Sequence, residues 1–208
     1  MRELSRTFGI VWRSVASFQM SSGHETEIKL RVKDADWGRQ QLEKAGFAVT
    51  RPRLFETNTL YDTPDQALRR RGMILRLRQA GERFFMTWKG RPEAGPHKSR
   101  PELETSIGSL ETINGILAQV GFTRVFRYEK YRTEFCAADS PGIVTLDETP
   151  VGDFFELEGS GDWIDRTAAR LGFAHTDYIL ESYGRLYLSE CERRGVEPGD
   201  MVFASHPL

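Results

Sequence analysis

His24-Glu25-Thr26-Glu27-Ile28-Lys29-Leu30-Arg31-Val32 decides how the rest of this chain is read. A β-strand sends successive side chains to opposite faces. One face of the run therefore carries Glu25, Glu27, Lys29 and Arg31, and the other carries Thr26, Ile28, Leu30 and Val32. One half-exposed strand would look the same, but the pattern recurs. Arg76 and Arg78 alternate in 73–78, and Arg100, Glu102 and Glu104 share a phase in the next charged strand. Lys130, Arg132 and Glu134 do so in 128–135, and Glu156 and Glu158 in 153–158. Solvated cross-strand pairs, which stabilise ordinary sheets by small amounts, account for one or two such rows. Five in-phase rows point to a shared polar interior.

The totals agree with a folded chain. In 208 residues, 39% are hydrophobic and 28% charged, which allows a core and excludes general disorder. The 29 basic and 30 acidic residues leave a net charge of −1. That excludes a general nucleic-acid surface, which needs a basic excess. Cys136 and Cys191 form neither a disulfide framework nor a metal spacing. The expectation is a reduced, cytoplasmic protein without zinc. No run approaches the roughly 20 apolar residues of a membrane-spanning helix. Arg13 interrupts the apolar run Phe8-Gly9-Ile10-Val11-Trp12, and no clean small-residue cleavage site follows. Residues 1–19 are therefore expected to be a flexible extension rather than a signal peptide.

A repeated device organises the chain. Ala45-Gly46-Phe47, Val120-Gly121-Phe122 and Leu171-Gly172-Phe173 each end an amphipathic segment. Glycine there supplies a left-handed C-cap, and the next apolar residue packs back on the helix. Helices are expected over 36–45, 110–120 and 163–171, with Asp34 or Asp36, Ser109 and Asp162 as N-caps. Ile113, Ile116, Leu117 and Val120 show the helical spacing. Strands are expected near 24–32, 51–62, 71–80, 83–90, 98–106, 124–136, 142–148 and 152–158. A last helix follows Ser182 and ends at Gly195, with Leu186, Tyr187 and Cys191 inward. Nothing divides 20–195, and 196–208 is expected to be a loose tail. The fold class is α+β: an eight-stranded, antiparallel, closed β-barrel with a charged interior and helices packed outside. Buried unpaired charge is costly, so the interior must be a hydrated tunnel holding ions and ligand.

The inward residues divide by sign. Glu25, Glu27, Glu102, Glu104, Asp147, Glu156 and Glu158 are acidic; Lys29, Arg76, Arg78, Lys89, Arg100, Lys130 and Arg132 are basic. Oxygen donors without His or Cys select hard cations, Mg²⁺ or Mn²⁺. Guanidinium groups bind phosphate by paired hydrogen bonds. Together they describe a polyphosphate site, where catalysis is mostly positioning and charge neutralisation. Arg69-Arg70-Arg71 reads as a solvated turn, and His24, His97 and His175 read as isolated structural or surface residues.

At this point the sequence resembles a known family. Glu25-Thr26-Glu27-Ile28-Lys29 is similar to the E-x-E-x-K signature of CYTH-domain proteins, the triphosphate tunnel metalloenzymes. Tyr61-Asp62-Thr63-Pro64, then Leu68, Gly72 and Leu75-Arg76-Leu77-Arg78, resembles the family's second motif. Thr87-Trp88-Lys89-Gly90 resembles its lysine strand. Arg100-Pro101-Glu102-Leu103-Glu104 and Lys130-Tyr131-Arg132 come in the family's order. Leu146-Asp147-Glu148 and Gly152-Asp153-Phe154-Phe155-Glu156-Leu157-Glu158 resemble its closing acidic strands, and Ser182-Tyr183 a C-terminal dipeptide of bacterial members. The likeness covers roughly 24–190.

The resemblance implies an Mg²⁺- or Mn²⁺-dependent enzyme acting on a triphosphate-bearing small molecule. Glu25, Glu27, Asp147, Glu156 and Glu158 would bind metal. Lys29, Arg76, Arg78, Lys89, Arg100, Lys130 and Arg132 would grip phosphates. Glu102 and Glu104 are further candidates, and Glu27, Lys29 and Glu158 the catalytic ones. The expected activity is a triphosphatase acting on inorganic, thiamine or nucleoside triphosphate. The alternatives are a class IV-type adenylate cyclase, for which no adenine pocket is legible, and a non-catalytic polyphosphate- or nucleotide-binding module. No patch demands a partner chain, though the resemblance allows a homodimer.

Overall fold

The computed structural model describes residues 21–138 and 140–204; the expected N-terminal extension lies outside them. The eight strands are β1 (Ser21–Arg31), β2 (Ala48–Asp62), β3 (Ile74–Ala80), β4 (Arg83–Lys89), β5 (Lys98–Ile107), β6 (Thr123–Cys136), β7 (Ile143–Thr149) and β8 (Gly152–Glu158). They close in the order β1-β5-β4-β3-β2-β6-β7-β8, with every neighbouring pair antiparallel. Closure removes the sheet edges and converts strand phase into an inside and an outside.

The helices are α1 (Ala35–Lys44), α2 (Ala67–Arg70), α3 (Leu110–Gln119), α4 (Gly161–Arg170) and α5 (Tyr183–Arg194). The glycine stops hold. Gly46, Gly121 and Gly172 have φ of 75°, 88° and 86°. The following N–H groups of Phe47, Phe122 and Phe173 donate to Leu42, Leu117 and Ala168 carbonyls, the Schellman pattern. Asp34 caps α1 by accepting from Trp37 N at 2.8 Å, and Ser109 caps α3 by accepting from Thr112 N. Asp162 is not a cap: α4 starts one turn-fraction earlier, after Ser160, and Asp162 lies within its first turn. The strand expected from residue 71 begins at Ile74, because α2 and Gly72, at φ 71°, occupy the approach.

Ile28, Leu30, Phe135, Val144, Leu146, Phe155 and Leu157 point outward and are buried under α1 and α4. Leu75 and Leu77 pack beneath α3 through Leu117. Gly38 lets α1 approach closely, since a Cβ there would stand 3.1 Å from Leu146 and 3.2 Å from Phe155. We expect Asp34→Ala to lower stability by about 1 kcal/mol through the lost cap. A urea midpoint equal to wild type would show that the cap contributes nothing.

The charged interior and the outer helices are as expected, and beside the charges Tyr128, Phe154 and Tyr183 form a buried cluster with Met201, flanked by Leu60, Phe126, Leu186 and Tyr187. The start of α5 meets the barrel through this cluster, at Tyr183. The tail from 196 is held along part of its described length. Met201 is fully buried, its N–H donates to Arg127 O at 2.9 Å, and its carbonyl accepts from Glu129 N at 2.9 Å. Residues 205–208 lie outside the described residues.

Candidate active site

Strand register determines who meets whom inside the barrel. Glu27 stands opposite Lys98 on β5 and Glu158 on β8, Lys29 opposite Glu156, and Glu25 opposite Arg100. The result is a cavity of about 370 Å³ lined by every expected site residue except Asp147. Glu27 and Lys29 are almost fully buried, at 3% and 2% exposure. Arg31, expected on the same row, turns away: it is exposed, donates to Val151 O and lies over the Phe154 ring.

The charges interleave. Lys29 Nζ lies 3.2 Å from Glu27 and 3.0 Å from Glu156. Lys98 Nζ donates to Glu27 at 2.7 Å. Lys89 Nζ bridges Glu25 at 2.5 Å and Glu102 at 2.9 Å, while Arg100 Nε reaches Glu25 at 3.2 Å. Arg78 spans Glu56 at 3.1 Å and Glu104 at 2.9 Å. Asp147, with no exposed surface, sits behind the wall. It accepts from Arg132 Nε and Nη2, from Lys130 Nζ at 2.8 Å and from Tyr183 O–H at 2.8 Å. Arg132 also pairs with Glu156. In this arrangement Asp147 positions cations.

Two donors stand out. The Nε–H groups of Arg76 and Arg78 are buried with no hydrogen-bond partner. The other Arg76 bonds are long, at 3.2 Å to Thr87, 3.4 Å to Glu104 and 3.4 Å to Tyr128. A buried unsatisfied donor costs about 1–3 kcal/mol. An anion entering the cavity would remove that cost. The first residues of α5, Ser182, Tyr183 and Gly184, also line the cavity, so the positive end of a helix dipole faces it.

The titration behaviour follows from this crowding. Burial and Glu27 push the Glu25 carboxyl up, but Lys89 and Arg100 outweigh them and bring it down to about 2. Burial raises Glu56 as well, yet Lys130, Arg132 and Arg78 bring it down to about 2. Burial, then Lys29, push Lys98 down to about 8 despite Glu27. Glu158 behaves oppositely: burial of its carboxyl, then Glu25 and Glu156, push it up to about 7. It has no ion-pair partner among the described residues, although its side chain keeps solvent access. Burial and Glu25 also raise Glu102, against Lys89.

Glu25 and Glu56 therefore stabilise the fold fully above about pH 4.5, and that contribution is lost as pH falls through about 2. Glu158 opposes it: its raised pKa favours the fold below about 4.5, a contribution lost as pH rises through about 7. We expect stability against urea to drop steeply between pH 4.5 and 2. A flat profile over that interval would show that the buried pairs are not formed in solution.

Hard cations suit this donor set. Glu25, Glu27, Glu102, Glu156 and Glu158 offer only oxygens, and burial, joined by mutual repulsion, raises two of them. Among the described residues no three acidic, His or Cys side chains converge on one ion position; the carboxylates are turned onto lysine and arginine instead.

Sequence reasoning passed over Lys98, Glu56, Tyr128 and Tyr183's contact with Asp147. Lys98 had a signal, since it is in phase with Arg100 and Glu102 on β5. Glu56 had none, because the inward row of β2 continues as Asn58 and Leu60. His97 and His175 are not isolated: both approach Asp165, at 2.7 and 3.6 Å. Among the described residues no helix is long and apolar enough to cross a membrane, and Cys136 and Cys191 are free.

Comparison with known proteins agrees with this geometry. The chain is 30% identical over 136 residues to a candidate adenylate cyclase of Methanocaldococcus jannaschii, covering 65% of this chain and 77% of that protein. The structure of a candidate adenylate cyclase from Vibrio parahaemolyticus superposes with a TM-score of 0.68 at 24% identity, covering 81% of this chain and 99% of that one. A candidate adenylyl cyclase from Hippeastrum, described as having a dominant triphosphatase activity, superposes with a TM-score of 0.57 at 17% identity, covering 86% and 98%. At these identities the two structures share the fold. The CYTH domain family model matches residues 23–182, more than half of the sequence, and the chain belongs to that family.

Proposed function

We propose that this protein is a divalent-metal-dependent triphosphatase that hydrolyses a triphosphate-bearing substrate inside the barrel. The observation that carries the reading is the pair of buried, unpartnered Nε–H groups of Arg76 and Arg78 in a cavity whose walls also bear Lys29, Lys89, Lys98, Arg100, Lys130 and Arg132. Such a concentration of donors suits a multiply charged phosphate chain. Glu25, Glu27, Glu156 and Glu158 would hold Mg²⁺ or Mn²⁺, and Asp147 would join them on exchange of its Arg132 and Lys130 partners. Ions so bound neutralise phosphoryl charge and lower the pKa of a coordinated water.

The chain's own residues supply the rest. Arg76, Arg78, Arg100, Lys89, Lys130 and Arg132 orient the phosphates and stabilise charge that develops on the transferred group. Lys29, held between Glu27 and Glu156, presents its ammonium to the same chain. Glu158, which has no ion-pair partner among the described residues, would orient the attacking water and accept its proton. The support given by the Hippeastrum likeness is the activity its description names.

A second reading is a cyclase that joins the ribose 3′-oxygen to the α-phosphate of ATP and releases pyrophosphate. It is favoured by the name of the Methanocaldococcus relative. Incubation with ATP and, separately, with inorganic triphosphate, each with Mg²⁺ or Mn²⁺, separates the two by product. Phosphate release supports the triphosphatase, cyclic AMP plus pyrophosphate the cyclase. Metal-dependent binding with no product from either would sink both in favour of a binding module.

A further inference from the structure

We propose that Tyr128 is a further phosphate-binding residue of the tunnel, and that the segment following α5, residues 196–203, holds it in place. The inference rests on the triphosphate reading above and adds to it one hydroxyl and the device that positions it. The need for such a device lies in the barrel wall. On the β2 side, β6 is paired as far as Thr123. On the β7 side it is paired only over Tyr131–Phe135. Residues 123–130 would thus present a bare strand edge, whose N–H and C=O groups need partners.

Residues 196–203 supply them. Met201 N–H donates to Arg127 O, and Met201 O accepts from Glu129 N–H, both at 2.9 Å, in a parallel bridge centred on Tyr128. Asp200 accepts from Arg127 N–H at 2.8 Å and pairs with Arg124. Phe203 N–H donates to the buried Glu129 carboxylate at 3.2 Å. The backbone on either side of Tyr128 is therefore fixed by bonds that β7 is too short to make. The Tyr128 ring packs in one cluster with Phe154, Tyr183 and the Met201 side chain, which has no exposed surface. Pro198 and Gly199 of the same segment wall a second, largely apolar cavity of about 750 Å³, together with Val125, Phe126 and Leu188. Leu60, Ile74, Lys98 and Arg100 line both cavities, so the segment stands at the tunnel mouth.

The inner end of this arrangement is the Tyr128 hydroxyl. Tyr128 shares the inward phase of β6 with Lys130 and Arg132 and lines the tunnel with them. Its oxygen accepts from Arg76 Nη1 at 3.4 Å, and among the described residues nothing accepts its own O–H proton. The Arg76 Nε–H beside it is equally unpartnered. The two donors suit one anion. A phenol donates to a phosphate oxygen as a charge-assisted hydrogen bond without adding charge to the tunnel. A ring already packed in place loses little freedom when it does so.

The test is calorimetric titration of the full chain with methylene-bridged inorganic triphosphate in Mg²⁺, with urea unfolding of each variant as the stability control. Tyr128→Phe keeps the ring and removes the hydroxyl. It is expected to weaken binding about tenfold, the share of one charge-assisted hydrogen bond, and to do so in the Arg76→Ala background as well. Met201→Ala is expected to weaken binding to a similar extent, and Met201→Leu to recover most of the loss. Met201 is a positioning residue that acts through Tyr128, so Tyr128→Phe/Met201→Ala should bind no more weakly than Tyr128→Phe alone. Asp200→Ala, an exposed change that loosens the same segment, serves the same comparison if Met201→Ala does not fold. Wild-type affinity in Tyr128→Phe, or disappearance of its effect in Arg76→Ala, overturns the phosphate contact. Additive losses in the double variant, or a lowered urea midpoint with unchanged affinity, overturn the positioning role. In each of these cases the wild-type chain still binds and the triphosphate reading stands. A wild-type chain that does not bind the analogue overturns both.

Discussion

Glu27→Gln is expected to abolish triphosphate turnover while leaving the barrel folded. Glu27 is buried at the middle of the inward row of β1, opposite Lys98 and Glu158, and touches Lys29 and Lys98. Its carboxylate would contribute a charged oxygen to the metal, which a neutral amide replaces poorly. The expected loss in kcat is on the order of 10³, about 4 kcal/mol of barrier at 1.36 kcal/mol per tenfold. The fold should survive, because the two cations left behind have other recourse. Lys29 keeps Glu156 at 3.0 Å. Lys98, already lowered to about 8, can release its proton. A single-turnover assay with circular dichroism as the folding control decides the matter. A folded variant with wild-type turnover would remove Glu27 from the metal set and the catalytic role with it.

Arg76→Ala is expected to weaken triphosphate binding about 10- to 100-fold, the equivalent of one or two charge-assisted hydrogen bonds at about 1.5–3 kcal/mol. The arginine is enclosed by groups that keep it charged: Tyr128, then Glu104 and Glu102, raise its pKa despite burial. Its protein contacts are nevertheless long, and its Nε–H has no partner. The side chain is thus anchored by charge but not saturated, the state expected of a group waiting for an anion. Calorimetric titration with a methylene-bridged triphosphate gives the readout. Unchanged affinity would mean that the Arg76–Glu104 pairing is a structural ion pair and that the phosphates are held elsewhere. Arg76→Lys separates charge from geometry: recovery of only part of the affinity would identify the paired donors of guanidinium as the useful feature.

Much of the site was legible in the chain because strand phase is a local property. Once Glu25, Glu27 and Lys29 alternate with Ile28 and Leu30, a barrel that buries the aliphatic face outside under helices must turn the charges in. Glu156 and Glu158, Arg76 and Arg78, and Lys130 and Arg132 obey the same rule, and each pair except the outlying Glu158 is substantially enclosed. The glycine stops were equally local, since a left-handed C-cap needs only the residue that tolerates positive φ. Local rules failed at strand ends. Arg31 has the inward phase but lies beside the Gly152 turn, where Val151 O and the Phe154 ring draw it out.

What the sequence determined by itself is the list of side chains that enter the tunnel and the helices that cover its outside, because both follow from periods of two and about 3.6 residues along one segment. Which charges meet was decided only by tertiary structure. Lys98 reaches Glu27 because β5 pairs with β1 across 71 residues of chain. Asp147 is saturated because β6 and α5 bring Arg132, Lys130 and Tyr183 to it from separate segments. The apolar cavity beside the tunnel likewise draws on β2, α2, β3, β5, β6 and α5. Contacts assembled from distant segments leave no periodic trace in any one of them, so closure of the barrel and docking of α5 had to be seen before the second cavity could be.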